Sequence, residues 1–344
     1  MGGRDTRRKI SLTGIKPTGS AVAPEQGGTL HLGSYFGAIR PALAMAAAGQ
    51  HDSLYFIADY HALTTQRDPT VLRDNVYDVA ANWLACGLDP ERTIVYRQSD
   101  VIEVFELCWI FACIVATGQL ERGHAYKDAR SRSESVNAGI FNYPLLMAAD
   151  IILYDSDVVP IGADQKQHLE LARDIAIRMN HLYGEGTVVV PEALITEAPV
   201  VPGHDGRKMS KSYGNTIQLF APPKALRKEI MKLKSESTPL EAPKPSEGQL
   251  VYELYKLVAS EAEAEAMAQK LHAGGYGWGH AKQELFEALD AQLSPLRARY
   301  LELRTDETEL ERILQAGAER ARVIARATIE RVRAAVGIGL RSGV

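Results

Sequence analysis

The chain is 344 residues long, 46% hydrophobic and 24% charged, with a formal net charge of −4. That length accommodates one large domain and a smaller one, and that composition excludes a chain made mainly of disorder. The slightly acidic balance excludes a molecule that binds nucleic acid over its whole surface, so any RNA contact must come from local basic faces.

In chain order, Ile10–Thr13 reads as a short strand, followed by the turn Gly14–Ser20 and a helix over residues 31–48 that ends near Gly49. Ser53–Ala58 is a buried-strand run. Asp68 and Pro69 open a helix through Leu84, stopped at Gly87. Thr93–Arg97 predicts another strand and Val101–Ala116 another helix. This alternation argues for an α/β fold with a doubly wound parallel, Rossmann-type sheet. Such sheets bind ligands at the carboxyl ends of their strands, where the strand order switches. Beyond residue 205 strands vanish and prolines punctuate the chain. Leu250, Leu254, Leu257 and Val258 share one helical face, as do Leu285, Leu289 and Leu293. Thr305, Asp306 and Glu309 resemble a capping box ahead of a last long helix. The expected division is 1–205 for the Rossmann-type domain and 206–344 for an all-helical domain, whose last helix packs back on the first.

Cys86, Cys108 and Cys113 lie in apolar helical surroundings without zinc-like spacing, and read as core thiols in a reducing compartment. The longest apolar run, Leu107–Thr117, is too short to span a membrane. The N-terminal ten residues have no apolar h-region and so predict no secretory signal. Gly274–Gly279 predicts a turn with two exposed aromatics. Two basic faces are candidates for RNA: Lys224–Lys234, and Arg320, Arg322, Arg326, Arg331 and Arg333 on the last helix. Taken singly, each reads first as a solvated helix face.

Two stretches carry chemistry. Thr29–Ser34 (TLHLGS) stands at a helix mouth, where backbone N–H groups face an anion, Gly33 permits close approach and His31 donates a hydrogen bond. Gly206–Asn215 (GRKMSKSYGN) places Lys208 and Lys211 three apart between glycine hinges, with Ser210 and Ser212 interleaved. Ammonium groups are good point charges for phosphate, and glycine hinges suit a segment that closes over substrate. Alone, the first is an ordinary helix start and the second a solvated loop. Together they are two phosphate-handling elements flanking one nucleotide-sized cleft. No G-x-G-x-x-G follows the first strand, which argues against a nicotinamide dehydrogenase.

HLGS and KMSKS resemble the paired signatures of class I aminoacyl-tRNA synthetases. GIKPTG (14–19), YHALT (60–64), QLERGHAYKD (119–128), YPLLMAADIILY (143–154) and VPIGADQKQHLELARDIA (159–176) resemble the bacterial-type tryptophanyl-tRNA synthetases over nearly the whole length. The resemblance implies that tryptophan and ATP, with Mg²⁺, form tryptophanyl-adenylate, and that tryptophan then passes to the terminal adenosine of tRNA(Trp). It implies ATP contacts from Lys16, Thr18, Gly19, His31, Gly33, Ser34, Gly162, Asp164, Lys208, Met209, Ser210, Lys211 and Ser212. Lys208, Lys211, Lys127 and His31 would act on the phosphates. Tyr143 and Gln165 would hold the ammonium group of tryptophan, Asp150 would accept its indole N–H, and Met147, Val159, Ile161 and His61 would line its pocket. For His61 a structural role is an equal alternative. The resemblance further implies a homodimer in the cytoplasm, with tRNA as partner and neither DNA, membrane nor a resident metal site.

The chain departs from the family pattern in three places. SAVAPEQGG (20–28) separates GIKPTG from TLHLGS and is expected to be a flap over ATP or surface decoration. Lys16 replaces a common glutamine, and Ala129 stands where a basic residue is frequent, with Arg130 and Arg132 nearby. Two other readings stay open at this point: a small-molecule adenylyltransferase, which lacks the helical tail, and a non-catalytic synthetase paralogue, which would lose site residues that this chain retains.

Overall fold

A computed structural model of the chain describes residues 8–19, 22–131, 136–161, 166–195 and 199–339. The elements in chain order are β1 (Lys9–Ile15), α1 (Leu32–Ser34), α2 (Arg40–Ala48), β2 (His51–Ile57), α3 (Asp59–Ala62), α4 (Pro69–Ala85), β3 (Ile94–Arg97), α5 (Glu103–Ile114), α6 (Thr117–Leu120) and α7 (His124–Ser131). They continue with α8 (Ala138–Ile152), β4 (Val158–Ile161), α9 (Lys166–Tyr183), β5 (Glu192–Ile195), α10 (Pro223–Met231), α11 (Leu250–Tyr255), α12 (Glu261–Ala273), α13 (Trp278–Thr305) and α14 (Glu307–Val336).

Among the described residues the strands form one parallel sheet in the order β3-β2-β1-β4-β5. β1 pairs with β2 along its whole length, Lys9 opposite His51 through Ile15 opposite Ile57. Helices cover both faces, so the interior strands are apolar on both sides and Ser53–Ile57 is buried at every position. The helix ends follow local chemistry. Asp68 caps α4 by accepting from Thr70 N at 2.8 Å and Val71 N at 3.2 Å, with Pro69 in the first turn. Asp306 caps α14 by accepting from Glu309 N at 3.1 Å. The helix expected over 31–48 is not uniform: a π turn, Tyr35–Ile39, separates α1 from α2. Pro41 follows it and cannot donate to the preceding turn, so the backbone widens there rather than break.

Two hydrophobic cores result. One joins α2, α4 and one sheet face to the helical region, through residues such as Tyr55, Trp83, Phe220, Leu285 and Leu289. The other fills the opposite face with α5, α8 and α9. α14 belongs to both: Leu310 and Leu314 lie in the first core, Ala318, Ala321, Ala325 and Ile329 in the second. It crosses from one to the other over the edge strand at Gly317, where any Cβ would collide with the Val95 carbonyl. This crossing protects β3 from edge pairing.

The arginines of this helix all have protein partners, although Arg320, Arg326 and Arg333 remain exposed. Arg320 donates to the Pro90 and Thr93 carbonyls at 2.8 and 2.9 Å, and Arg322 to the Asp100 carbonyl at 2.8 Å. Arg326 pairs with Glu103, Arg331 with Asp155 and Arg333 with Glu106. Two smaller expectations fail. Cys113 is exposed and not a core thiol, because it lies on the outer side of α5. Trp278 is buried rather than displayed, because it starts α13 and packs into the first core.

Candidate functional site

The strand order reverses direction between β1 and β4. These two strands meet at Ser11 opposite Val158. Past that point, a cavity of about 350 Å³ opens between Gly14–Lys16 and Val159–Ile161. It lies at the carboxyl ends of the strands, at the switch point, and its size suits a small aromatic ligand. Gly14 lacks a Cβ because the Phe56 ring occupies that space.

Lys16, expected among the ATP contacts, lines this cavity together with His61, Tyr143, Met147, Asp150, Val159 and Ile161. Asp150 is 2% exposed. Its Oδ2 accepts from His61 Nε2 at 2.8 Å, and Gln98 Nε2 straddles the carboxylate at 2.8 Å from Oδ1 and 2.9 Å from Oδ2. Burial pushes the Asp150 carboxyl up, and the hydrogen bonds from His61 and Gln98 pull it back. A carboxylate offers about four acceptor positions. Among the described residues, three contacts with protein donors leave one position free, on Oδ1. The His61 ring also packs on Tyr143 with centroids 4.2 Å apart, so it is a wall of the cavity as well as a partner of Asp150. Lys16 reaches Thr64 Oγ1 at 3.2 Å and lies 5.9 Å from the Tyr143 ring centroid; burial lowers its pKa.

Gln98 was not singled out from the sequence. Its signal was available: RQSD follows β3 directly, at the carboxyl end of a parallel strand. What the sequence could not show is that this end faces Asp150.

The phosphate-type elements meet beside the turn that follows β1, at the same carboxyl end of the strand. His31 caps α1, accepting from Ser34 N at Nδ1 (3.2 Å). Nδ1 is thus unprotonated, and the ring proton sits on Nε2, 3.2 Å from Ser34 Oγ. Burial, reinforced by the charge of Lys211, lowers the His31 pKa to about 4, which agrees with a neutral donor. Gly33 N donates to Met209 Sδ at 3.2 Å, and a Cβ on Gly33 would crowd both His31 and Met209. Residues 30–32 and 217–219 also bind through Leu32 N to Ile217 O and Leu219 N to Leu30 O, both 2.9 Å. The two signature segments are therefore one packed unit. Met209 is its buried anchor, while Lys208, Lys211 and Ser212 are exposed.

Lys211 Nζ donates to Thr18 O at 2.8 Å, which draws the loop onto the turn after β1. Asn215 holds the loop's shape, accepting from Ser210 N at 2.8 Å and donating to Asp205. Ser210 and Ser212 hydroxyls pair at 2.8 Å. Gly19, with φ 113°, gives its carbonyl to Asn75 Nδ2 at 3.0 Å. Lys127 stands on the exposed side of α7, in a separate shallow groove with Arg122, Tyr126 and Arg130. Gly162, Asp164 and Gln165 lie outside the described residues, as do Ser20, Ala21 and Arg132.

The inserted 20–28 segment is tied down at its far end. Gly27 packs on the backbone of Phe220 and Ala221. Thr29 donates through N (3.0 Å) and Oγ1 to Asp78 Oδ2, while Tyr300 OH donates to Asp78 Oδ1 at 2.5 Å. Its end is thus a strap between α4 and α13, not a free flap. Among the described residues no group of three or more His, Cys, Asp and Glu side chains gathers to hold a metal ion. No helix among them is long and apolar enough to cross a membrane.

Comparison with known proteins agrees with this geometry. The family model for tRNA synthetases class I (W and Y) matches residues 4–294. A tryptophan–tRNA ligase of Xanthomonas axonopodis pv. citri is 46% identical over 321 residues, 90% of this chain and 74% of that protein. One from Rhodopirellula baltica is 44% identical over 328 residues, covering 95% and 99%. The crystal structure of a tryptophanyl-tRNA synthetase from Campylobacter jejuni, complexed with ADP and tryptophan, superposes with a TM-score of 0.88 at 40% identity, over 96% of this chain and 100% of that one.

Proposed function

The chain belongs to the class I tRNA synthetases of the tryptophan and tyrosine type, and from that premise we propose that it is a tryptophan–tRNA ligase working through the cavity at Asp150 and the loop at Lys208–Ser212. The observation that carries this reading is the single acceptor that the described residues leave on the buried Asp150 carboxylate. An indole N–H supplies one donor at the end of a flat apolar ring; a phenylalanine ring supplies none, and would leave that acceptor unpaired.

The reaction runs in two steps. A tryptophan carboxylate oxygen bonds to the α-phosphorus of ATP, the bond to the bridging oxygen breaks, and pyrophosphate leaves. A hydroxyl of the terminal adenosine of tRNA(Trp) then attacks the acyl carbonyl, and AMP leaves. Neither step needs an enzyme nucleophile, so positioning and charge stabilisation do the work. Neutral His31 donates Nε2–H to a phosphate oxygen at the mouth of α1. Lys208 and Lys211 meet the charge that develops on pyrophosphate, and Lys127 joins them when the exposed side of α7 is drawn in. Tyr143 and Gln165 take the substrate ammonium, Asp164 the ribose. Mg²⁺ enters with ATP as part of the substrate and adds positive charge on the phosphates.

The active species is a cytoplasmic homodimer. Ile102, just before α5, and Phe105 and Trp109 along it are 69%, 46% and 71% exposed, which a second copy would cover. Trp109→Glu should convert the dimer to monomer in sedimentation, and a parent protein that sediments as monomer removes this part. For tRNA, α10 retains Lys224 and Lys228 exposed beside the signature loop, whereas the α14 arginines are hydrogen-bonded or ion-paired to other elements of the chain.

Amino-acid-dependent ATP–pyrophosphate exchange across all twenty amino acids tests the assignment. Exchange with tryptophan alone is expected. Exchange with tyrosine instead, or with none, would overturn it.

A further inference from the structure

Asp150 has two holders, and both depend on a short turn that the last helix grips. Gln98 opens the 3-10 turn Gln98–Asp100 after β3 and is 2% exposed. The turn is fixed on one side by Asp59 of α3, which accepts from Ser99 N at 3.0 Å and Ser99 Oγ at 2.5 Å. His61, the other holder, belongs to that same α3. On the opposite side the grip is α14. Arg97 forks between Asp100 (2.9 Å) and Glu311 (2.6 and 2.8 Å), Tyr77 OH donates to Glu311 at 3.1 Å, and Arg322 donates to the Asp100 carbonyl at 2.8 Å. Gly317 brings α14 against Val95 three residues upstream of Gln98. Every neighbour of Gln98 in the turn is thus held by another element, which aims its amide at Asp150.

The Gln98 amide has one reasonable orientation. Its Nε2 meets the carboxylate, and its buried Oε1 finds no partner among the described residues. Turned over, Oε1 would face two carboxylate oxygens. The amide therefore occupies two of the acceptor positions, and His61 a third.

We infer that Gln98 is a specificity-determining positioning residue for the amino acid, leaving Asp150 one acceptor for one ring donor, and that Glu311 and Arg322 of the last helix hold it in place. The inference rests on the reading of Asp150 as the indole acceptor. It adds a tie from the C-terminal helix to amino-acid choice.

The test is pyrophosphate exchange with tryptophan and phenylalanine in Gln98→Leu, which keeps bulk and removes both donors. The Michaelis constant for tryptophan should rise by roughly tenfold to a hundredfold, as for loss of hydrogen bonds to a charged group. The preference over phenylalanine should fall by a similar factor, with the constant for ATP unchanged. Without the two donors that favour its charged form, Asp150 would keep its proton to higher pH. The tryptophan constant of the variant should then improve with rising pH more than the parent's does. His61, Tyr96, Cys108, Tyr143, Tyr154 and Lys16 also face this carboxyl or its cavity. They are common to both proteins, so the difference between the profiles isolates Gln98. Glu311→Gln, which weakens the hold on Arg97, should move the same constant by about twofold to tenfold in the same direction. Should Gln98→Leu fold poorly, Gln98→Asn withdraws the amide and carries the same expectation. Unchanged tryptophan constant, preference and pH profile in the Gln98 variant would overturn the inference. If Asp150→Ala leaves the preference intact, it is the underlying reading of Asp150 that fails.

Discussion

At Asp150 the protein surrounds one carboxylate with its own donors and buries it to 2% exposure; at Lys208 and Lys211, over the turn that follows β1, it leaves two cations exposed on a hinged loop. The difference follows the two tasks. Choosing an amino acid needs an acceptor whose geometry and count are set before the ligand arrives, because the penalty on a wrong ligand is an unpaired buried group. Stabilising pyrophosphate needs charge that strengthens only as the leaving group forms, so the cations must be free to follow it. On the two basic helices the contrast is one of partners and not of exposure: Arg320 and Arg322 of α14 donate to backbone carbonyls and Arg333 pairs with Glu106, while Arg320 and Arg333 are exposed, as are Lys224 and Lys228 of α10.

The largest expected effect breaks the buried half. Asp150→Ala should lower the preference for tryptophan over phenylalanine by up to roughly 10⁴–10⁵-fold, the range of a site built on one buried hydrogen bond. Exchange assays with tryptophan, tyrosine and phenylalanine read it; preference ratios equal to the parent's would make Asp150 a structural cap.

Next comes the exposed half. Lys208→Ala and Lys211→Ala should each slow adenylate formation by about 10²–10³-fold in single turnover, in the manner of a lost oxyanion donor, with tryptophan affinity unchanged. Lys211→Ala should also weaken ATP binding, since its hold on Thr18 shapes the turn. An equal loss of tryptophan affinity would mean that the two halves are not separate.

His31 sharpens the comparison, being a buried group at the exposed end. Its pKa falls from 6.5 to about 4. Between those values the unfolded chain binds the extra proton and the folded one does not, so this stability is present above about pH 6.5 and lost as pH falls towards 4. After allowing for partial exposure it is on the order of 1–2 kcal/mol. Thermal melts of the parent and His31→Gln should converge at low pH and separate at neutral pH. A constant gap across the range would mean that His31 does not stay neutral.

The smallest effect separates the two basic helices. Lys224→Glu or Lys228→Glu should weaken tRNA charging and change its salt slope by about 1 for each phosphate contact, with adenylation intact. Arg320→Glu should instead lower the melting temperature, at about 1–3 kcal/mol for two lost carbonyl contacts, and leave that slope alone. The reverse pattern would return the tRNA face to α14.

Much of this molecule is legible along the chain, because the signals are local. Asp68-Pro69 and Asp306 start helices through side chains that bond the very next turn. Ser53–Ala58 reads as a buried strand and Thr93–Arg97 as another strand, and the two signature segments declare themselves by glycine, histidine and lysine spacing. What lies between segments was set only by the tertiary structure. Gln98 and His61 reach Asp150 from 52 and 89 residues away, so no local pattern reports that they saturate it. The strap at Thr29 is closed by Asp78 and Tyr300, and the turn at Gln98 is gripped by Glu311 from beyond residue 300. Local sequence selects which element forms, through backbone and side-chain preferences within a turn or two. Which polar group is left with a free acceptor is a count over every neighbour at once, and that count exists only after the chain has packed.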